Sequence, residues 1–195
     1  MATGDAILLI GSGETTLDME YATGFRAVDP VVCLCAGKKR WLVVPEMELG
    51  RATASGESRG VVVTTPARLR IRPRMQRRLS SWAAAVMKQQ GIRGVVVAGM
   101  FPLGVARRLE RLGLRLRVAK QDLFPERAVK NAAEVRHIAA SQQAAVIAMR
   151  AAIRLIAEAD TDGNTWLQHA GRRLTSERVR EHIMKVLLEH GCMGR

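Results

Sequence analysis

Short apolar segments alternate with amphipathic ones over the first 125 residues. Residues 6–10 form an uncharged apolar run followed by Gly11 and Gly13, which predicts a buried strand and a turn. Apolar or alternating segments predict further strands at residues 31–34, 41–44, 61–65, 95–97 and 114–118.

Helical spacing appears between these strands. Over residues 75–90, Met75, Leu79, Trp82 and Val86 fall on one face, and Gly91 is a suitable C-terminal stop. Residues 103–112 form a shorter amphipathic helix that ends before a glycine. Strands that alternate with helices predict an α/β architecture for residues 1–125.

Between the predicted strand at residues 61–65 and the predicted helix at residues 75–90, apolar and basic residues alternate with a period of two over residues 67–72. Ala67, Leu69 and Ile71 alternate with arginines, and Pro73 follows. Because successive side chains of a strand point to opposite faces, this spacing predicts an extended segment with its arginines on one face.

The pattern changes beyond residue 130, where two helices are predicted. Asn131 and Glu134 have the spacing of a capping box, and no Pro or Gly interrupts the helix that follows to about Glu158, about 40 Å long. A turn at residues 160–164 should end it, and a second helix should run from Thr175 to about His190 with Val179, Ile183, Val186 and Leu187 inward. The first helix has a mostly apolar stripe, formed by Val135, Ile138, Gln142, Val146, Met149, Ile153 and Ile156.

Charge is concentrated in one third of the chain. The net charge is +13, and residues 61–120 hold fourteen Lys or Arg against one acidic residue. Six arginines lie between Arg68 and Arg78, which could attract nucleic-acid phosphates. No aromatic residue lies among them to stack on bases, and no nucleic-acid-binding signature is present, so we expect a solvated face instead.

Composition points to a globular chain of the cytoplasm. No apolar run approaches the roughly 20 residues that a bilayer requires, and Asp5 interrupts the N-terminal segment where a secretory signal would lie. The three cysteines, Cys33, Cys35 and Cys192, do not form a disulfide or zinc pattern, and we expect reduced, partly buried thiols.

No catalytic, cofactor-binding or metal-binding residues are predicted in this chain. Asp160 and Asp162 resemble the start of a calcium loop, but that loop's glycine and final glutamate are missing. The four histidines lack paired ligand spacing, and we expect His182 and His190 on a charged outer face. The glycines after residue 10 lack a complete dinucleotide fingerprint, and Ser80 and Ser81 lack a nucleophile context.

Four stretches, in order and spanning nearly the whole chain, resemble the creatinase/prolidase family, especially Xaa-Pro dipeptidases and aminopeptidases. They are Tyr21-Ala-Thr-Gly-Phe25 with Asp29-Pro30; Gly37-Lys38 with Leu42-Val-Val-Pro45, Glu46, Glu48 and Arg51; Phe124-Pro-Glu-Arg127 with Lys130 and Glu134; and Leu174-Thr-Ser-Glu177.

The resemblance implies two domains. Residues 1–125 would be a creatinase-type N-terminal domain, a mixed sheet with flanking helices. Residues 126–195 would be the hinge and first helices of an incomplete pita-bread catalytic domain. Complete family enzymes hold two divalent metals, manganese or cobalt, with two Asp, one His and two Glu that lie beyond the last predicted helix. None of these ligands can be assigned here, so no cofactor is expected in this chain.

The resemblance also implies a function, the hydrolysis of peptide bonds next to proline by a parent metallopeptidase. This chain would line the substrate cleft and mediate dimerisation there, without being catalytic alone. The alternatives are a non-catalytic partner subunit and a basic protein that binds nucleic acid weakly. Expected partners are a second copy or the missing catalytic half, with proline-containing peptides as substrates of the parent enzyme and no membrane.

Overall fold

The computed structural model describes residues 6–161, 163 and 165–194, with only the backbone of Ser58. The chain divides into two compact units, Met1–Arg127 and Ala128–Arg195. None of the described helices is both long enough and apolar enough to cross a membrane.

A mixed six-stranded sheet forms the centre of the first unit. The strands are β1 Ile7–Gly11, β2 Val31–Ala36, β3 Lys39–Val43, β4 Val61–Thr64, β5 Gly94–Val97 and β6 Arg115–Val118. Their order in the sheet is β4-β3-β2-β1-β5-β6. The β1–β2 and β2–β3 pairs are antiparallel, whereas β1–β5, β3–β4 and β5–β6 are parallel.

Helices cover both faces of this sheet, which confirms the predicted α/β fold. The alternation of side chains along each strand divides the apolar residues between two cores. Helices α1 (Leu17–Thr23) and α2 (Leu49–Gly56) contribute Met19 and Ala52 to one core. Helices α3 (Leu79–Gln89) and α4 (Leu103–Arg111) contribute Trp82 and Leu109 to the other.

The arginine-rich segment after β4 is not the extended segment that its period of two predicts. The N–H of Leu69 donates to the carbonyl of Thr65, and the N–H of Arg70 donates to that of Ala67, so the backbone turns. Arg70 has φ 53°, a left-handed conformation that no strand residue adopts. Leu69 and Ile71 nevertheless pack inward against the α3–α4 core while the neighbouring arginines are exposed.

Helix α3 begins later than the sequence pattern predicts. Met75 belongs to a separate 3-10 turn, Pro73–Met75, and the α-helix starts at Leu79. Trp82 helps to hold this turn, because its indole N–H donates to the carbonyl of Gln76 at 2.7 Å.

The second unit contains two helices and a small sheet. Helix α5 spans Ala132–Ala157, and helix α6 spans Ser176–Glu189 and packs against it. The predicted caps are both present: Asn131 and Glu134 form the capping box of α5, and the Thr175 hydroxyl accepts the N–H of Arg178.

The small sheet was not predicted. Its antiparallel strands are β7 Asp160–Thr161, β8 Leu167–His169 and β9 Arg172–Arg173. Asp160, expected in a turn, therefore pairs with Gln168. Asp162, the second carboxylate of the rejected calcium loop, lies outside the described residues, as does Asp5.

Candidate functional site: an uncovered apolar face on helix α5

Residues from three of the four stretches that carry the family resemblance meet in the first unit. Phe25 is fully buried, and the guanidinium of Arg51 lies 4.4 Å from the centre of its ring. Arg51 also donates to a carboxylate oxygen of Glu48 at 2.8 Å and to the Arg26 carbonyl at 3.1 Å. The rings of Tyr21 and Phe124 lie 5.6 Å apart. These contacts hold α1, α2 and the end of the unit on one side of the sheet, so they are structural.

Arg127 makes another long-range contact within this unit. Its guanidinium forms an ion pair with the carboxylate of Asp18, which joins the 3-10 turn Pro125–Ala128 to α1. Both side chains line a cleft of about 250 Å³ beside the ends of β1 and β5, together with Thr15, Thr16 and Met100. The ion pair satisfies both charges, and it fastens the last segment of the unit to the sheet layer.

The paired cysteines lie in the core of the first unit. Cys33 and Cys35 are on the same face of β2, both buried, with their sulfur atoms 3.7 Å apart. The hydrogen bond with Cys35, and after it burial, raises the pKa of the Cys33 thiol well above its usual value. A protonated buried thiol is a poor nucleophile, so Cys33 packs as a small apolar residue.

Helix α5 has two apolar faces of different character. Its buried residues are alanines, among them Ala144, Ala148 and Ala151, spaced so that they share one face. Small side chains let a neighbouring helix approach closely, and Ala151 lines a cleft with His182 of α6. Thus α6 occupies the alanine face.

The other face carries large apolar side chains that the described residues of this chain leave uncovered. Since successive residues advance by about 100° around a helix, this face lies roughly opposite the alanines. Met149 and Ile153 are each 58% exposed, a large fraction for such side chains. We call this set the α5 stripe; it consists of Val135, Ile138, Val146, Met149, Ile153 and Ile156.

A polar cleft lies on the opposite side of α5 from the stripe. It has a volume of about 300 Å³ and is lined by Arg154, Glu158, His169 and His182. His182 is half-buried in this cleft, which corrects its predicted place on an outer face, whereas His190 is exposed. The other residues that line the cleft come from the small sheet and from α5. No pattern in the sequence predicts that these residues lie close together.

No part of the described structure offers a metal site. Within residues 6–161, 163 and 165–194, three or more His, Cys, Asp or Glu side chains nowhere gather closely enough to hold an ion.

Comparison with known proteins identifies the fold. No family model matches the chain, and no curated protein sequence matches it significantly. Among solved structures, it is similar to an Xaa-Pro dipeptidase from Bacillus anthracis, with a TM-score of 0.70 and 13% identity over 95% of this chain and 44% of that one. For an X-Pro aminopeptidase from Thermotoga maritima the TM-score is 0.68 and the identity 14%, over 96% of this chain and 47% of that one.

A third structure agrees with these two. A prolidase from Pyrococcus horikoshii has a TM-score of 0.64 and 18% identity, over 94% of this chain and 44% of that one. The chain thus spans less than half the length of each of these three structures. At these identities the likeness establishes the fold: this chain shares the fold of the N-terminal part of prolidase-type structures, as the sequence resemblance implied.

Proposed function

We propose that this chain is the N-terminal portion of a metal-dependent Xaa-Pro peptidase, which hydrolyses peptide bonds next to proline only when a catalytic half is present. The observation that carries the proposal is the α5 stripe, on a chain that covers less than half of the aminopeptidase and dipeptidase structures described above. Large apolar side chains on a helix normally face a core, and the described part of the chain supplies no core on that side.

The occupant we assign to the stripe is the remainder of the pita-bread domain. The chain matches less than half of the peptidase structures, so the rest of their fold is the simplest cover for the α5 stripe. Two Asp, one His and two Glu in that remainder would hold two divalent ions, manganese or cobalt, that supply the water activation for hydrolysis. The unit up to Arg127 would line the substrate cleft and take part in a homodimer, as the family resemblance implies.

The coding sequence downstream tests this proposal directly. An extended polypeptide that includes its translation should bind two Mn²⁺ ions and cleave an Xaa-Pro dipeptide, whereas residues 1–195 alone should do neither. Hydrolysis by residues 1–195 would contradict the proposal, as would a downstream sequence that carries the five ligands but covers no part of the stripe in hydrogen exchange.

A non-catalytic partner subunit is the second candidate, because the same stripe would suit a separate polypeptide. A stop codon with no ligand-bearing sequence beyond it, in any reading frame, favours this candidate. Co-purification of residues 1–195 with a peptidase subunit, lost when Met149 and Ile153 are replaced by Asp, would then identify the partner.

A further inference from the structure

Charge is divided between the two sides of the six-stranded sheet. The layer that contains α1 and α2, residues 12–30 and 45–60, has seven acidic residues and three arginines. The opposite layer, residues 66–93 and 99–114, has eleven arginines or lysines and one acidic residue, Glu110. We call this opposite layer the basic layer. Its charge is a property of one surface and not only of one sequence segment.

The fold keeps the cations of the basic layer pointing outward. Leu69 and Ile71 are anchored in the core beneath, and the amide of Gln76 donates to the carbonyl of Ile71 at 2.8 Å, so the turn is held in place. The exposed cations are Arg68, Arg70, Arg72, Arg74, Arg77, Arg78, Lys88, Arg93, Arg107 and Arg111, and Arg108 is half-buried.

Neighbouring cations repel each other, and one carboxylate in the layer cannot neutralise eleven of them. A polyanion would relieve that repulsion and release its own counterions. The layer also has a concave part, a groove of about 360 Å³ lined by Lys88 and Arg93 together with Ile92, Leu112 and Leu114.

We propose that the basic layer binds the phosphate backbone of nucleic acid without reading its sequence. Ten of the eleven cations are arginine, whose planar guanidinium matches a phosphate with two parallel hydrogen bonds. The aromatic residues of the layer are not available to stack on bases, because Trp82 is buried in the core and Phe101 is half-buried. This argues against base recognition but does not weaken contacts with the phosphate backbone. This inference is independent of the proposed peptidase.

Anionic membrane is the main competing partner for such a layer. Leu103 and Leu112 are exposed on or beside α4, but that helix has only nine residues and two arginines exposed on it. Most of the layer's cations instead lie between Arg68 and Arg78, where Leu69 and Ile71 pack against the core and Met75 is half-buried. The surface therefore offers many charges and little apolar area to insert, which favours phosphate backbone over lipid.

Fluorescence anisotropy with a labelled 20-base-pair DNA duplex tests the proposal on the full chain. We expect binding at 50 mM salt that is equal for unrelated sequences and falls roughly a thousandfold by 200 mM, as about six phosphate contacts would require. Salt dependence is measured as the slope of log K against log salt concentration. Replacing six arginines of the layer by Gln should make this slope shallower by up to about five. The six are Arg68, Arg70, Arg72, Arg74, Arg77 and Arg78.

The matched control removes the same charge from the second unit. Six of the exposed cations of that unit are each replaced by Gln: Arg136, Arg150, Arg154, Arg172, Arg180 and Lys185. This control should keep more than half of the salt dependence. An equal loss in both variants would show that net charge alone drives binding, and this would overturn the proposal.

Two further results would also overturn it. One is tighter binding to vesicles of phosphatidylserine than to the duplex at equal salt, which would assign the layer to membranes. The other is the absence of duplex binding at 50 mM salt. Circular dichroism identifies any variant that fails to fold. If the six-arginine variant fails, the salt dependence of duplex binding is measured instead on a variant with Lys88, Arg93, Arg107 and Arg111 replaced by Gln.

Discussion

Individual side chains carry the family resemblance through contacts that hold the first unit together. Arg51 illustrates this role, because it stacks on Phe25, bonds to Glu48 and caps the Arg26 carbonyl. We expect Arg51→Ala to destabilise the protein by about 1–2 kcal/mol, and Arg51→Lys by nearly as much, since an ammonium cannot make the planar stack. Urea unfolding measures this. Arg93→Ala, at an exposed arginine, is the control, and an Arg51→Ala effect no larger than the control's would contradict the account.

Thiol reactivity is a second property of single residues. Cys33 and Cys35 are buried, and the pKa of Cys33 is raised, whereas Cys192 is half-buried. A disulfide reagent at pH 8 should modify Cys192 in the native chain, and all three cysteines only after unfolding. Rapid native labelling of two or three thiols would contradict this placement.

At the scale of elements, the beginning of α5 depends on its capping box. The Asn131 side chain accepts the N–H groups of Ala133 and Glu134, and the Glu134 carboxylate accepts the N–H of Asn131. We expect Asn131→Ala to cost about 1 kcal/mol and to increase hydrogen exchange in the first turn, while Asn131→Asp retains the cap. Equal exchange in both variants would show that the cap does not hold this end.

Charged residues should be tolerated on the α5 stripe but not on the alanine face of the same helix. A double variant with Met149 and Ile153 replaced by Glu should reduce the binding of a hydrophobic dye and any self-association, with little loss of helix, because neither side chain is buried in the described structure. Replacing Ala148 by Glu is the contrasting variant: Ala148 is 1% exposed, so a charge there should unfold the second unit. Similar effects of the two variants on helix content would mean that the stripe is covered.

Some elements were predictable and others were not, for reasons visible in particular residues. Strands such as Val61–Thr64 and helix α5 follow from β-branched runs and capping signals. The turn after β4 was mistaken for an extended segment because Leu69 and Ile71 alternate with arginines although the backbone bends. Helices α1 and α2 are short, and α2 contains Gly50 and Gly56, so their periodicity is weak. Strands β7–β9 have two or three residues each, too few for any pattern.

The same distinction applies to the candidate site. The apolar residues of the stripe were evident from spacing alone, but the sequence did not show that a row of alanines, from Ala144 to Ala152, would be the face taken by α6. Small residues carry a weak hydrophobic signal, and only packing shows which of two apolar faces is buried. The cleft around His169 and His182 was missed because it depends on the small sheet.

At the scale of the whole molecule, the two units differ in how much apolar surface they bury. The unit up to Arg127 has helices on both faces of its sheet and two cores, whereas the second unit buries only alanines on its long helix. Exposed area costs stability at about 25 cal/mol per Å², so a few hundred Å² of uncovered stripe corresponds to several kcal/mol, comparable to the net stability of a whole domain.

Limited proteolysis of the dilute monomer tests this claim most directly. Protease should cut first beyond about Lys130 and leave a resistant N-terminal core, because the second unit lacks the burial that would protect it. In an extended polypeptide that includes the catalytic half, the same sites should be protected from the protease. Equal resistance along residues 1–195 of the monomer would show that the second unit is stable by itself, and this would contradict the account of α5 as a helix that awaits the rest of its domain.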